Sequence, residues 1–507
     1  MQADFKELND RIAEIDDLNR IQSLLYWDLQ TYMPPNGSEA RSSQISVLSR
    51  LVHERVTSEQ IGKKLEDLRP LVSQIDSNSS EARAFVKIDS AYSKLTRIPV
   101  EWVSEFSRLT TRAHKFWAQA KAENNFELFR PYLENILEMR RAYSGFFTPY
   151  EHIYDPLLDD YEPGMKTSDI KEVFGFLRVR QVELVQAISK CPQVDDSFLY
   201  QDFDEKAQWD FGLEVIRKLG FDANNGRQDK SPHPFTTRIG AGDVRITTRF
   251  DPGFLNSALF ATLHECGHAL HSLGLAPEFV QTIFGARIGP GSGGASMALN
   301  ESQSRLIENL VGRSYQFWQY YYPRLKDYFP AQFQEVSLED FYKGINQVKP
   351  SLIRVEADEG TYNLHIMLRM ELEIKLLEGT LAVKDLPAAW SEGMHDYLGL
   401  VPPNDSQGVL QDVHWSAGSF GYFPTYALGN LVSAQIWEKI LQDLPDINDQ
   451  IRQASFEELL GWLREKIHRH GTKYTAQELL ISLTGSSIDP NPYIDYLTKK
   501  YKQIYRF

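Results

Sequence analysis

The stretch FLNSALFATLHECGHALHSLGL, residues 254–275, decides how the rest of the chain is interpreted. It is an apolar run that predicts a buried helix, yet it carries His264, Glu265 and His268 within little more than one turn. Burying such groups costs several kcal/mol unless something pairs with them. The two histidines are four residues apart, so both rings leave the same helix face and can bind one cation.

Glu265 follows His264 directly and is turned about 100° around the helix axis. From there its carboxylate can reach a water on a metal ion without binding the ion itself. This arrangement is typical of zinc hydrolases. A buried histidine pair without a metal is the alternative interpretation of the same pattern. Cys266, two residues after His264, faces elsewhere and is interpreted as a packed small residue.

A catalytic zinc site needs a third protein ligand besides two histidines and a water. The extended motif H-E-x-x-H-x-x-G-x-x-H requires a glycine and then a histidine where this chain has His271 and Gly274. A glutamate from the following helix is the other common solution. Glu301 is the first choice for this ligand, and Glu308 is the alternative.

Composition limits the classes of function. A formal net charge of −15 argues against nucleic acid and against an anionic membrane as partners. No run of 18 or more apolar residues predicts a membrane span, and the charged N-terminus lacks the apolar core of a signal peptide. The cysteines, Cys191 and Cys266, give no disulfide framework and suit a reducing compartment. We therefore expect a cytoplasmic protein.

Periodicity and composition predict a mainly α protein. An acidic, proline-marked break near residues 150–167 is a possible lobe boundary within one 507-residue unit. Helices are predicted from residue 5 to before Met33, from Ser38 to about Leu51, at 58–76, 80–95, 101–122, 127–146, 168–190, 203–219, 297–313 and 341–378, and through 456–507.

One strand signal stands out, FTTRIGAGDVRITTRF at 235–250, which predicts a hairpin around a Gly-Ala-Gly turn. Such an edge beside the histidine helix can bind an extended peptide as one more strand, or it can simply cover the core. The glycine-rich stretch 285–296 is interpreted as a flexible connector, since no lysine-containing phosphate-binding motif follows it.

Several motifs occur in order along the chain. They are Trp27-Asp28 with Met33-Pro34, Tyr154-Asp155-Pro156 through Asp160 to Met165, His233-Pro234-Phe235, Asp243 with Arg245 and Thr247, His264-Glu265 with His268, Glu301-Ser302-Gln303, Ile353-Arg354 with Ala357-Asp358, Gly408 with Gln411-Asp412 and His414-Trp415, and Gly421 to Tyr426. Together they resemble the M32 metallocarboxypeptidases over essentially the full length. One departure is Asn300, where the family usually has a histidine before the glutamate ligand.

The resemblance implies a large helical body with a deep active-site cleft and a small β-hairpin or sheet beside the H-E-x-x-H helix, similar to neurolysin-like zincins. It implies a homodimer with one Zn²⁺ or Co²⁺ per subunit. The implied activity is removal of single residues from the free C-termini of peptides, with broad side-chain tolerance. His264, His268 and Glu301 would hold the metal, and Glu265 would act as the general base.

The remaining roles are assigned to polar residues outside the histidine helix. Tyr422 is the candidate donor to the oxyanion, with His233 or His414 assisting. Arg354 is the candidate for the substrate carboxylate, because the family's I-R-x-x-A-D motif has this task. An i,i+4 pair of Arg354 with Asp358 on a solvated helix face is the alternative. Arg245 and Tyr426 are further candidates for substrate binding.

Two rival functions remain open from the sequence. An endo-acting oligopeptidase would use the same metal site but would tolerate peptides with a blocked C-terminus. A helical interaction scaffold with an inactive site would bind no metal. The intact set of His264, Glu265, His268 and Glu301 argues against the scaffold.

Overall fold

Helices make up most of the protein, as the sequence predicts. The computed structural model describes residues 2–288 and 295–507, so half of the glycine-rich stretch 285–296 lies outside the described residues. The first half contains α1 Gln2–Thr31, α2 Ser38–Val56, α3 Glu59–Val72, α4 Ser80–Thr96, α5 Val100–Ala122, α6 Arg130–Gly145, α7 Asp155–Asp159, α8 Thr167–Ser189 and α9 Glu205–Lys218.

The second half begins with the sheet and the histidine helix. Its elements are β1 Gly226–Lys230, β2 Thr236–Gly240, β3 Asp243–Thr248, α10 Leu255–Leu273, α11 Met297–Arg305, α12 Tyr315–Tyr328, α13 Pro330–Phe333, α14 Leu338–Ile345, α15 Tyr362–Glu378, α16 Leu386–Leu398, α17 Pro424–Asp443, α18 Ile447–Arg452, α19 Glu457–Lys466, α20 Ala476–Thr484 and α21 Asn491–Tyr505. None of the helices described is both long enough and apolar enough to cross a bilayer.

The sheet extends the predicted hairpin by one strand. Its order is β1-β3-β2, with β2 antiparallel and β1 parallel to β3. Gly242 adopts a φ of +71° in the turn between β2 and β3, where a side chain would be strained. The strand β1 was not predicted, because its sequence GRQDK is polar and lacks β-branched residues.

The predicted helix at 341–378 is wrong. Helix α14 ends at Ile345, a single 3₁₀ turn covers Arg354–Glu356, and α15 begins only at Tyr362. Pro350 disfavours a helical conformation at the residue before it and cannot donate a backbone hydrogen bond. The predicted helix at 297–313 also changes character, because α11 passes into a π-helix at Leu306–Val311.

Three clusters of buried apolar residues form the core. The largest surrounds α15, α16 and α17, and the second contains the apolar faces of α9, α10 and α12. The third joins α1, α3 and α4 to the segment 283–288. Tyr154, Leu157 and Leu158 are fully buried in the first cluster. A lobe boundary in their neighbourhood stays a prediction.

Candidate metal centre and peptide-binding site

Helix α10 presents the two histidines from an otherwise apolar helix. Leu263, Cys266 and Ala269 are fully buried on its core side, whereas His264 and His268 are only partly buried. The interpretation of Cys266 as a packed residue is confirmed. The two imidazole rings lie 4.9 Å apart, centroid to centroid, on the opposite side of the helix. Burial of the apolar face therefore fixes where the histidines point.

Glu301 on α11 meets both rings. Its Oε2 lies 3.4 Å from Nε2 of His264 and 3.3 Å from Nε2 of His268. One ligand atom from each of the three residues lies within 4.8 Å of the others. Two imidazole nitrogens and one carboxylate oxygen are a donor set that suits a catalytic zinc ion, which leaves a fourth position for water. The structure brings together all three ligands expected from the sequence.

Two glycines allow α11 to approach its neighbours closely. A Cβ at Gly267 of α10 would lie 2.6 Å from the carbonyl oxygen of Gln303 on α11. A Cβ at Gly429 of α17 would lie 2.5 Å from Cγ of Glu301 itself. Neither position has room for a larger residue, so both packing contacts fix the position of Glu301.

Glu308, the alternative third ligand, lies behind His264. Its Oε2 is 2.9 Å from Nδ1 of His264, so that Nε2 is the nitrogen directed at Glu301. Arg305 bridges the two glutamates, with 2.8 Å from Nε to Oε1 of Glu301 and 3.1 Å from Nη1 to Oε2 of Glu308. A carboxylate in this place orients a histidine ligand and fixes its tautomer. Arg305 was missed, although its i+4 spacing from Glu301 is a usable signal.

The electrostatics favour a cation. Burial alone would lower the pKa of His264, but the carboxylates of Glu301 and Glu308 raise it to about 10. Burial would raise the pKa of Glu308, yet Arg305 and His264 lower it to about 2. Burial would also raise the pKa of Glu301, but the positive charges of His264 and Arg305 hold it well below its usual range. Both glutamates therefore stay ionised and attract positive charge to the histidine face.

Glu265 is buried and held from the sheet. The hydroxyl of Thr236 on β2 lies 2.6 Å from Oε2 of Glu265 and 3.0 Å from its backbone carbonyl oxygen. This contact holds the carboxylate beside the two histidines, and Glu265 is not part of the group His264, His268 and Glu301 that could hold a metal. Thr236 was not singled out from the sequence. Its only signal is its place at the start of the strand that precedes the histidine helix.

Asn300, the departure from the family pattern, has a defined partner. Its Oδ1 lies 3.0 Å from Nδ1 of His271 on α10. Burial lowers the pKa of His271 to about 4, so this ring is neutral and Nδ1–H donates the hydrogen bond. The pair joins α10 and α11 one turn beyond His268.

Tyr422, Tyr426 and His414 form an aromatic group next to the centre. The Tyr422 ring lies 5.2 Å from that of Tyr426 and 5.4 Å from that of His414, and Nε2 of His414 lies 3.3 Å from the Tyr426 hydroxyl. Burial, reinforced by the charge of Glu301, raises the pKa of Tyr422. Burial and two nearby arginines lower the pKa of His414 to about 3, despite Asp412. All three side chains are therefore neutral near pH 7.

Arg354 is buried and does not pair with Asp358. Its Nε and Nη2 lie 3.0 and 2.8 Å from Oδ1 of Asp412, and Nη1 donates to the Tyr362 hydroxyl at 3.0 Å. Arg369, fully buried on α15, donates to Oδ2 of the same Asp412 at 2.6 Å. The predicted alternative of a pair on a solvated helix face is wrong, because no helix joins Arg354 to Asp358. Two guanidinium groups on one carboxylate leave one positive charge in excess.

Arg245 and His233 are the other two candidates for substrate binding. Arg245 on β3 forms hydrogen bonds of 3.0 and 2.9 Å with Asp243, and its guanidinium lies over the Trp27 ring at 4.3 Å. His233 is exposed just before β2 and lies close enough to His414 for their charges to interact. Arg245 therefore joins the sheet to α1, and its role in substrate binding stays a prediction.

Two buried glutamate side chains support the site from behind. Glu162 accepts hydrogen bonds of 2.6 Å from Ser296 Oγ and from the backbone N–H of Ala298, at the start of α11. Glu373 accepts a 3.0 Å bond from the backbone N–H of Gly421, next to Tyr422. Gly421 has a φ of +89°, and a Cβ there would lie 2.4 Å from the Leu157 carbonyl oxygen. The ligand helix and the Tyr422 turn thus both rest on the segment around 154–162.

A helical scaffold with this grouping of two histidines, a downstream glutamate and a buried glutamate beside them is typical of H-E-x-x-H metallopeptidases. The sequence matches the family described as Carboxypeptidase Taq (M32) metallopeptidase over residues 7–501. The chain belongs to this family.

Relatives and solved structures cover nearly the whole chain. Thermostable carboxypeptidase 1 of Thermus thermophilus is 39% identical over 99% of both chains, and carboxypeptidase 1 of Bacillus subtilis is 37% identical over 99% of this chain and 98% of its own. The crystal structure of the M32 carboxypeptidase from Deinococcus radiodurans R1 superposes with a TM-score of 0.94 at 38% identity and covers 100% of both chains. These names favour neither the endo-acting oligopeptidase nor the inactive scaffold.

Proposed function

We propose that this protein is a metal-dependent carboxypeptidase that removes single residues from the free C-termini of peptides. The observation that carries the proposal is the convergence of His264, His268 and Glu301 next to a buried pocket with excess positive charge. The metal half suits amide hydrolysis, and the positive half suits a terminal carboxylate. Family membership and the names of the relatives agree with this assignment.

His264, His268 and Glu301 would hold a divalent cation, which we infer to be zinc or cobalt because imidazole and carboxylate ligands suit both. When bound, the cation supplies Lewis-acid chemistry, which lowers the pKa of its water and polarises the scissile carbonyl. The Nδ1–H of His264 faces Glu308, so Nε2 is the nitrogen that would bind the cation in place of a proton.

Glu265 acts as the general base in this scheme. It accepts a proton from the attacking water and later transfers it to the leaving amine. The hydroxyl of Thr236 keeps the carboxylate in place during both transfers. Tyr422 keeps its proton near pH 7 because burial raises its pKa, so its hydroxyl donates to the developing oxyanion.

Arg354 recognises the substrate carboxylate in this proposal. Asp412 holds the Arg354 guanidinium in place. Because Arg369 pairs with the same carboxylate, Asp412 does not neutralise the positive charge of both arginines. His414 and Tyr426 line the same pocket as neutral donors. Excess positive charge in a buried pocket favours an anion there, because a lone buried charge is costly without a partner.

The experiment compares a ladder of peptides with free and with amidated C-termini, with and without a chelator, by mass spectrometry. We expect stepwise shortening of the free-acid peptides, loss of activity with chelator and recovery on addition of zinc. The Arg354→Ala variant should lose more activity on free-acid than on amidated peptides. Equal losses on both substrates, or internal cleavage of amidated peptides by the wild type, would contradict the proposal.

Two further properties belong to the same proposal. Cys191 and Cys266 are unpaired, which supports a reducing, cytoplasmic location. Homodimerisation is supported by the resemblance to M32 metallocarboxypeptidases, and light scattering on the purified protein tests it.

A further inference from the structure

A group of arginines lies where α1 passes the edge of the sheet. Arg20 of α1 donates through Nη1 to the carbonyl oxygen of Arg238 on β2 at 3.1 Å and pairs with Asp16 at 3.1 Å. The charge of Arg20 acts on both Arg238 and Arg287. We call Arg20, Arg238 and Arg287 the arginine cluster. Its positive charge contrasts with the net charge of −15 of the whole chain.

Asp16 is the carboxylate that acts on Arg238, and it is already bound by Arg20. Among the described residues, the Arg238 guanidinium has no hydrogen-bond or ion-pair partner, although the side chain is partly buried. Residues 289–294 read GPGSGG and contain no carboxylate. Within the part of the chain that the structure describes, Asp16 is therefore the one carboxylate that acts on Arg238, and it is shared with Arg20. Two guanidinium groups beside one carboxylate leave positive charge in excess, which favours binding an anion at Arg238.

Arg238 lies on the same face of β2 as Thr236. Side chains alternate along a strand, so residues two apart share a face at a separation of about 7 Å. Thr236 contacts Glu265 from this face, and the paired residues Ile246 and Val244 of β3 are buried on the side of α10. The Arg238 side chain is therefore directed to the catalytic side of the sheet.

The order of residues along β2 gives the direction of the substrate. His233, just before the strand, lies near enough to His414 for their charges to interact, and His414 belongs to the Arg354 pocket. Thr236 is next and holds Glu265, and Arg238 follows on the far side. Arg238 is therefore separated from the carboxylate pocket by the catalytic glutamate. On the other side of the arginine cluster, Arg287 lies close enough to Tyr422 for the two groups to interact electrostatically.

We propose that Arg238, supported by the arginine cluster, binds an acidic side chain of the substrate on one of the two residues upstream of the scissile bond. This inference rests on the proposed carboxypeptidase function. The C-terminal carboxylate is held at one end of the site, so the penultimate and antepenultimate residues reach along β2 towards Arg238. The enzyme then favours peptides with glutamate or aspartate near, but not at, the C-terminus.

The test uses pentapeptides with a blocked N-terminus and a free C-terminal alanine. They differ only in whether glutamate or glutamine occupies the penultimate or the antepenultimate position. The readout is the ratio of kcat/KM for the glutamate peptide to that for its glutamine partner, which cancels differences in active enzyme. A hydrogen bond to a charged group gives an expected ratio of at least about tenfold at one position. Added salt should reduce the ratio, because exposed charges are screened over about 8 Å at physiological ionic strength.

Three variants make the test specific to Arg238. Arg238→Gln should bring the ratio close to one, and Arg238→Lys should keep most of it. Arg180→Gln, an exposed arginine on α8, changes the net charge equally and should keep the wild-type ratio. A wild-type ratio near one, or a ratio that survives in Arg238→Gln, overturns the inference.

Failure of the proposed function would look different. In that case no peptide is shortened at all, whichever residue lies upstream. Calorimetric titration of the same intact peptides then decides the subsite, because the glutamate peptide should still bind more tightly than the glutamine peptide to the wild type and not to Arg238→Gln.

Discussion

The proposed metal centre and the proposed carboxylate pocket are assembled in opposite ways. The three proposed metal ligands come from two helices, α10 and α11, and two of them are four residues apart. The pocket draws Arg354 from a 3₁₀ turn, Arg369 from α15, and Asp412 and His414 from the loop before α17. The first site depends on helix periodicity, whereas the second depends on tertiary packing alone.

The two sites should respond differently to the loss of a single side chain. In the proposed metal centre, two of the three ligands have separate supports, namely Glu308 for His264 and the close approach of α17 for Glu301. In the pocket, Asp412 is the one carboxylate among the described residues that pairs with both buried guanidinium groups. Loss of one residue from the metal centre should therefore reduce metal binding and activity. Loss of Asp412 from the pocket should instead lower the free energy of unfolding.

The largest effect is expected for Glu301→Ala. This change removes one of three ligands, so bound metal and peptidase activity should both be lost. Glu308→Ala is the matched control, and as the partner of a ligand it should lower metal affinity by only about 10–100-fold. Metal content by mass spectrometry decides between them. The reverse order would make Glu308 the ligand and Glu301 its support.

Glu265→Gln should separate catalysis from metal binding. The amide keeps the shape of the carboxylate and can accept the hydrogen bond from Thr236, but it cannot accept a proton. We expect wild-type metal content with kcat reduced by about 10²–10⁴-fold. Substantial residual hydrolysis by a fully metallated variant would contradict the assignment of the general base.

Asp412→Asn tests the pocket. Removal of one partner from a buried ion pair leaves uncompensated charge and typically costs about 3–5 kcal/mol, and here two arginines lose their carboxylate. The free energy of unfolding, from urea titration, should fall accordingly while metal content of the folded protein stays unchanged. Asp449→Asn, at an exposed ion pair on α18, is the control and should change stability little.

Gly429→Ala probes how closely α17 must approach the metal centre. The new Cβ would lie 2.5 Å from Cγ of Glu301, so the ligand or the helix must move. We expect a loss of metal affinity of about 10–100-fold, as for other changes that displace a ligand's support. Gly461→Ala on α19 has open space around it and serves as the control. Equal metal affinity in both variants would show that the contact is not needed.

The same contrast separates what the sequence predicts from what it does not. His264, Glu265 and His268 follow from one helical repeat, and Glu301 from the requirement for a third ligand. Thr236 and Arg305 were missed because their roles depend on how a strand and a helix pack against α10. The Arg354–Asp412–Arg369 group was missed because its members are distant in sequence. The helix on which an Asp358 pair would have depended begins only at Tyr362.

The smallest effect is expected at Glu162, which caps the start of α11. Burial raises the pKa of Glu162 from 4.5 to about 8, so the folded state binds a proton that the unfolded state releases between these values. The contribution of this group to stability is thus fully present below about pH 4.5 and is lost as the pH rises towards 8.

Glu162→Gln removes this titration while its amide can still accept from Ala298 and donate to Ser296. The unfolding midpoint of the variant, relative to the wild type, should therefore rise by a few degrees between about pH 5 and pH 9. Calorimetric scans at matched metal concentration measure the difference. If the difference between the two unfolding midpoints instead stays constant with pH, or the variant loses stability relative to the wild type as the pH rises, then Glu162 is ionised throughout and supports α11 as a carboxylate.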